Sequence, residues 1–197
     1  MTVTPISEDD QKRLSEAFQY AVELHATQPR KGSDIPYVAH LMAVSALVLE
    51  HGGTVNQAIA ALLHDGPEDQ GGEATLDEIR DRFGDEVADV VTECSDTFED
   101  PKPPWKPRKK AYLRHLKKAS DGAALVSLAD KTHNLTAILR DHETNGDALW
   151  ERFNGSKKDI RWYYRRLRRV YNKRIDSEAA QPLLREYRRL VKRLRRV

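Results

Sequence analysis

Apolar residues recur at three- and four-residue steps along most of the chain, and no segment shows the strict alternation of a β-strand. This pattern predicts an all-α protein. The first helix is expected to begin after Ser7, with Asp10 three residues on as in an N-cap, and to run to about His25. Its core-facing side chains would be Leu14, Phe18, Ala21 and Val22.

The same spacing, together with the helix-breaking and helix-capping residues between the apolar segments, predicts the remaining helices. Thr75 followed by Glu78 has the pattern of a capping box, and Gly84 that of a helix stop. Four prolines within residues 100–107 remove backbone donors, which predicts a mobile loop. The predicted helices span residues 38–50, 55–65, 75–84, 85–95, 108–119, 121–140, 147–153, 157–175 and 178–196.

A chain of 197 residues is long enough for one domain with its own core. We expect one domain over residues 1–175 and a basic amphipathic helix over residues 176–197. That helix would pack on the same domain or on a partner subunit, which leaves a homodimer open. The single cysteine, Cys94, and the absence of an apolar run of membrane-spanning length predict a cytoplasmic protein.

Charge is distributed unevenly along the chain. Residues 157–197 contain 16 Lys/Arg and 4 Asp/Glu, a net charge of +12, whereas residues 1–156 carry a net charge of −10. A basic end on an acidic body fits either a polyanionic substrate or a solvated helix surface. The last arginines alternate with Leu, Val and Tyr at helical spacing, as on an ordinary amphipathic helix. This spacing argues against a nucleic-acid partner without excluding one, and the absence of a membrane-spanning run predicts no membrane partner.

Histidines and aspartates stand at the ends of several apolar helices. His64 and Asp65 follow the apolar run 56–63, His40 lies early in the preceding helix, and Asp130 follows another apolar run. Each one alone is more often a structural residue. Two histidines and two aspartates that converge from apolar helices would have a large desolvation cost, which a divalent metal offsets most simply. The nitrogen and oxygen donors suit manganese, iron or zinc, and the choice stays open.

Four segments resemble, in order and spacing, the small alarmone hydrolases of the HD phosphohydrolase superfamily. The resemblance covers about residues 10–170 and implies an HD-domain helical bundle. It also implies manganese-dependent removal of the 3′-pyrophosphate from guanosine tetra- or pentaphosphate, with release of GDP or GTP and pyrophosphate. The segments are RKGSDIPYVAH, AALLHDGPED, TLDEIRDRFGDEVADVV and LVSLADKTHNL.

The resemblance also assigns roles to individual residues. Glu68 and Asp69 match the catalytic acidic pair that serves the attacking water. The metal ligands would be His40, His64, Asp65 and Asp130. The nucleotide would meet Arg30, Lys31, Tyr37 and Asn134. Tyr163, on the basic helix 157–175, is a further candidate for contact with a phosphate or the ribose, although a core position explains it equally well.

Three other functions stay open at this point. Another HD phosphohydrolase, such as a nucleotidase or an NADPH phosphatase, would use the same metal with a different base pocket. A nucleic-acid-binding HD protein would use the basic C-terminal part. A catalytically silent HD sensor would lack an acidic pair, and Glu68 and Asp69 argue against it.

Overall fold

A computed structural model describes residues 6–99 and 101–197, and over those residues the protein is helical without a β-strand. The predicted all-α class is therefore confirmed. The helices are α1 (Glu8–Leu24), α2 (Val38–Glu50), α3 (Val55–Leu63), α4 (Gly66–Asp69), α5 (Glu73–Phe83), α6 (Asp85–Cys94), α7 (Trp105–His115), α8 (Asp121–Asn145), a 3₁₀-helix (Gly146–Arg152), α9 (Lys157–Arg174) and α10 (Gln181–Leu194).

Helix α1 begins where the sequence predicts, but it buries a different face. The Ser7 side chain accepts a hydrogen bond from the Asp10 amide, as an N-cap does. The prediction that Phe18 and Val22 lie in the core is wrong, because each is 39 % exposed. The helix packs on α3, and its buried residues are Ala17, Tyr20 and Ala21.

Two local predictions around α5 and α7 are also wrong in part. Helix α5 begins at Glu73 after Gly72, and the Thr75 hydroxyl donates to the Gln70 carbonyl, so Thr75 is not the N-cap. Gly84 does end α5, with a φ of 89° that favours glycine. The loop predicted over residues 100–107 ends early, because α7 begins at Trp105 and tolerates Pro107 in its first turn.

The centre of the molecule is formed by α2, α3 and α8, which pack on one another. Helix α3 is rich in alanine, and its small buried side chains let α2 approach it closely. The 25-residue α8 passes along both and buries an apolar face from Ala123 to Leu139. His40 on α2, His64 at the end of α3 and Asp130 in the middle of α8 thus belong to helices in mutual contact.

Helices α9 and α10 form an antiparallel hairpin at the C-terminal end. Arg161 Nε donates to the Leu194 carbonyl, and the Tyr187 hydroxyl donates to the Tyr164 carbonyl. Helix α10 packs on α8 and α9 of the same chain, and burial of each large apolar side chain stabilises this contact by about 1.5–3 kcal/mol. Its buried residues are Leu183, Leu184, Tyr187, Leu190, Val191 and Leu194. The division of the chain at residues 175–176 stays a prediction.

No helix within residues 6–99 and 101–197 is long and apolar enough to cross a membrane.

Candidate active site

Two imidazole rings and two carboxylates meet where α2, α3 and α8 come together. His40 Nε2 lies 3.3 Å from Asp130 Oδ1, and His64 Nε2 lies 3.1 Å from Asp65 Oδ2. The two crossed distances, from His40 to Asp65 and from His64 to Asp130, are both 3.8 Å. The structure therefore brings all four residues predicted as metal ligands to one point.

Hydrogen bonds on the far side of each ring orient the histidines. His64 Nδ1 lies 2.8 Å from the Ala61 carbonyl, and His40 Nδ1 lies 2.8 Å from His133 Nδ1. Both Nε2 atoms are buried and, within the described residues, have no hydrogen-bond partner of acceptable geometry. Buried nitrogens that face two carboxylates without bonding them match the donor set of a divalent cation site.

The electrostatics of this cluster favour positive charge at its centre. Burial lowers the pKa of His40. Burial acts in the same direction on His64, but the carboxylates of Asp65 and Asp130 outweigh it and raise the pKa of His64 well above its usual value. The pKa of Asp130 is held well below its usual range despite its burial, because Lys131 and both histidines stabilise the ionised form. A site that stabilises positive charge in this way fits a divalent cation.

The second acidic pair lies one helical turn beyond the cluster. Glu68 and Asp69 belong to α4, a single turn that starts with Gly66 and Pro67 immediately after Asp65. A Cβ atom on Gly66 would lie 3.2 Å from Leu24 Cδ1, so this turn packs tightly on α1. The Glu68 carboxylate accepts a hydrogen bond from the Asp96 amide at 3.2 Å, which orients it.

A cavity of about 680 Å³ opens beside the cluster. All five predicted nucleotide-binding residues line it: Arg30, Lys31, Tyr37, Asn134 and Tyr163. A smaller cavity of about 140 Å³ adjoins it and is lined by Asp65, Glu68, Asp69 and Asp130. Tyr37, Asn134 and Tyr163 border both cavities, so the larger cavity adjoins the acidic groups directly.

Contacts inside the larger cavity connect the loop before α2 with α8. The Arg30 guanidinium donates to Asn134 Oδ1 at 2.6 Å and lies 5.3 Å from the centre of the Tyr37 ring. The Tyr37 hydroxyl donates to Asp65 Oδ2 at 2.5 Å. Lys31 Nζ lies 6.0 Å from the Phe153 ring. The Tyr163 hydroxyl is buried, with no hydrogen-bond partner in the part of the chain that the structure describes.

Sequence reasoning missed four basic residues at this site. Lys109 and Lys131 border both cavities and are only 16 % and 17 % exposed. Lys109 pairs with Asp96 at 2.6 Å, and burial lowers its pKa. Arg108 and Lys102 approach Glu68 at 3.5 Å and 3.2 Å. The available signals were the PRKK sequence after the prolines and the position of Lys131 directly after Asp130.

Comparison with known families adds independent evidence to this geometry. Residues 17–157 match the HD domain, which is more than half of the chain. The chain belongs to the HD domain family. The matched range of this HD-domain protein contains His40, His64, Asp65 and Asp130.

Curated relatives of this HD-domain protein include named hydrolases. It is 37 % identical over 134 residues to the guanosine-3′,5′-bis(diphosphate) 3′-pyrophosphohydrolase MESH1 of Xenopus tropicalis, covering 66 % of this chain and 72 % of that one. It is 31 % identical over 141 residues to the bifunctional (p)ppGpp synthase/hydrolase SpoT of Escherichia coli K12, covering 68 % of this chain and 19 % of that one.

A solved structure shares the fold. A metazoan ortholog of SpoT, described as hydrolysing ppGpp, superposes with a TM-score of 0.74 over 97 % of this chain and 98 % of that one, at 23 % identity. At this identity the likeness concerns the fold, and it extends through the C-terminal hairpin of the HD-domain protein.

Proposed function

We propose that this HD-domain protein hydrolyses the 3′-pyrophosphate of guanosine tetra- or pentaphosphate, with GDP or GTP and pyrophosphate as products. The observation that supports this most strongly is the placement of the His40, His64, Asp65 and Asp130 cluster against Glu68 and Asp69, at the acidic end of a nucleotide-sized cavity. MESH1, to which the chain is 37 % identical, is named for this reaction.

His40, His64, Asp65 and Asp130 would hold the divalent cation, for which we propose Mn²⁺. Bound there, it would supply Lewis acidity and lower the pKa of a bound water. His133 and the Ala61 carbonyl contribute by fixing the orientation of the two imidazole rings. Tyr37 contributes by donating to Asp65, which restricts that carboxylate to one position.

Glu68, assisted by Asp69, would orient the attacking water and accept its proton. The water oxygen forms a bond to the phosphorus attached to the 3′ oxygen, the bond between that oxygen and phosphorus breaks, and the 3′ oxygen takes a proton. Lys109 and Lys131 lie between the two cavities, where they can balance the charge of the leaving pyrophosphate. Lys102 and Arg108 reduce the negative potential of Glu68, which would otherwise repel the substrate.

The nucleoside would occupy the larger cavity. We place the guanine base against the Arg30 guanidinium, whose planar face is suited to stacking, and beside Lys31. Asn134 would contact the ribose, and the Tyr163 hydroxyl a phosphate or the ribose. This orientation directs the 3′ end toward Asp65 and Glu68.

A panel of substrates tests the proposal. Protein reconstituted with Mn²⁺ is given guanosine tetraphosphate, NADPH and deoxynucleoside triphosphates, and kcat/KM is measured for each. We expect guanosine tetraphosphate to be preferred, with GDP and pyrophosphate as the products. A preference for NADPH or for the deoxynucleotides would support the alternative phosphohydrolase functions instead. The cytosolic location and a homodimer stay predictions, which fractionation and light scattering can check.

A further inference from the structure

The outer face of the α9–α10 hairpin contains a groove of about 200 Å³. It is lined by Trp162, Arg165, Arg166, Arg168, Arg169 and Arg195. We call it the arginine groove. It is separate from the catalytic cavity, because Tyr163 and Tyr164, on a different face of α9, line that cavity and are buried.

Five arginines without a charged partner among the described residues surround this one groove. Across residues 6–99 and 101–197, none of the five side chains forms an ion pair or a hydrogen bond. Several arginines elsewhere form ion pairs, as Arg80 does with Asp85 and Arg193 with Glu143, whereas Arg114, Arg185 and Arg196 form none within the described residues. Five unpaired guanidinium groups around one groove repel one another, which lowers stability without an anion to offset the repulsion.

The packing of the hairpin does not require these arginines. Helix α9 is anchored by its buried face, which includes Tyr164, Leu167 and Tyr171. The helical spacing of apolar residues argued against a nucleic-acid partner, but that spacing accounts for the buried faces alone. The charges on the outer face therefore have no structural explanation within the described part of the chain.

The size and chemistry of the groove distinguish between polyanions. Pockets that enclose a small ligand measure about 300–1,000 Å³. The arginine groove, at about 200 Å³, is too small to enclose a whole nucleotide, whereas a chain can run along it. Positive charge is also present outside the groove, since residues 157–197 carry a net charge of +12 and the five groove arginines account for +5 of it, which leaves +7. Trp162 places an aromatic ring among the guanidinium groups, as in surfaces that stack unpaired bases.

We propose that the arginine groove binds single-stranded nucleic acid, with backbone phosphates on the guanidinium groups and one base stacked on Trp162. Bases of single strands are free to stack on a side chain, whereas those of a duplex are already stacked on each other. The nucleic acid would be RNA or DNA, since both present phosphates and an exposed base.

Fluorescence anisotropy with labelled single strands of roughly 15 nucleotides tests this, in one RNA arm and one DNA arm. The groove variant changes Arg165, Arg166, Arg169 and Arg195 to Gln. The control variant changes Lys12, Arg114, Lys117 and Lys118 to Gln, which removes the same charge from exposed positions elsewhere. We expect the groove variant to bind at least tenfold more weakly and the control variant to stay within about twofold of wild type. The slope of log K against log salt should also become shallower by about 0.7 for each phosphate that the variant no longer neutralises.

A substitution of the aromatic ring tests the stacking interaction separately. Trp162→Ala should weaken binding roughly tenfold, whereas Trp162→Phe should retain most of it, since base stacking needs a ring. Turnover of guanosine tetraphosphate by these variants should stay near the wild-type value, because the groove residues do not line the catalytic cavity. Circular dichroism and thermal melting confirm that each variant is folded.

Several results would overturn the proposal. Equal decreases in affinity in the groove and control variants would indicate a general effect of net charge. If the wild-type protein does not bind single strands even at low salt, the groove is not a nucleic-acid site. Tighter binding to a duplex, to vesicles containing phosphatidylserine or to free guanosine tetraphosphate, with the same dependence on the groove arginines, would assign the groove to that ligand.

Discussion

The side-chain ammonium of Lys102 lies 3.2 Å from a carboxylate oxygen of Glu68. The same ammonium is 3.1 Å from Asp69, so the proline-rich segment before α7 is joined to the acidic turn α4. The positively charged Lys102, which belongs to a loop, therefore contacts both carboxylates that we propose to orient and deprotonate the attacking water. It also ties the segment 101–104 to the acidic turn through two ion pairs.

We therefore expect Lys102→Gln to raise KM roughly fivefold, because the uncompensated carboxylates would repel a polyphosphate substrate by about 1 kcal/mol. The kcat should change little, and Lys102→Arg should retain the wild-type KM. Steady-state kinetics at low and high salt measure both values. A fall in kcat with an unchanged KM would instead place Lys102 in the chemical step.

Removal of a proposed metal ligand should abolish metal binding and activity together. His64→Ala and Asp65→Ala each leave three protein ligands and an unbalanced buried charge. Matched controls are His51→Ala and Asp77→Ala, which lie outside the cluster. Elemental analysis of the purified proteins gives the occupancy, and full occupancy in the first two variants would rule out this ligand assignment.

Glu68→Gln should keep the metal but slow turnover by roughly 10²–10⁴-fold, the usual contribution of a positioned general base. The amide keeps the shape of the side chain and its contact with the Asp96 amide, but it cannot take a proton at neutral pH. The test combines kcat with metal content. If turnover is unchanged while the metal stays bound, Asp69 becomes the candidate and Asp69→Asn the next variant.

His133→Ala should weaken metal binding by about 10–100-fold, because His133 orients the His40 ring through the contact between their Nδ1 atoms. His133→Asn, which can still form a hydrogen bond, should recover part of the affinity. Titration of the metal-free protein with Mn²⁺ gives both dissociation constants. Equal affinity in wild type and His133→Ala would show that the contact does not position His40.

Cys94 should resist thiol reagents in the folded protein. It is 8 % exposed, and burial raises the pKa of its thiol, so the reactive thiolate is scarce even at pH 9. In the unfolded chain the thiol would titrate near its ordinary value of about 8.5 and react rapidly. Labelling with and without denaturant compares the two states, and fast labelling of native protein would indicate local opening around α6.

The helical class and most helix positions could be predicted from the sequence, because the spacing of apolar residues and the caps at Ser7 and Gly84 are local properties. The HDGPED segment also contains His64, Asp65, Glu68 and Asp69, which the fold brings together beside one cavity. The five predicted nucleotide-binding residues do line one cavity, although their roles stay predictions.

The tertiary structure alone decided which faces meet and which distant groups come together. The spacing of α1 did not distinguish Phe18 from Ala17 as the buried position, because that depends on the rotation at which α1 packs on α3. Lys102 reaches Glu68, and His133 reaches His40, only because separate helices pack against one another. The unpaired state of the groove arginines is likewise a property of the folded surface. The spacing of apolar residues predicts single helices, because it depends only on residues close in sequence. Whether a charged side chain has an oppositely charged partner depends on which helices pack beside it in the folded protein.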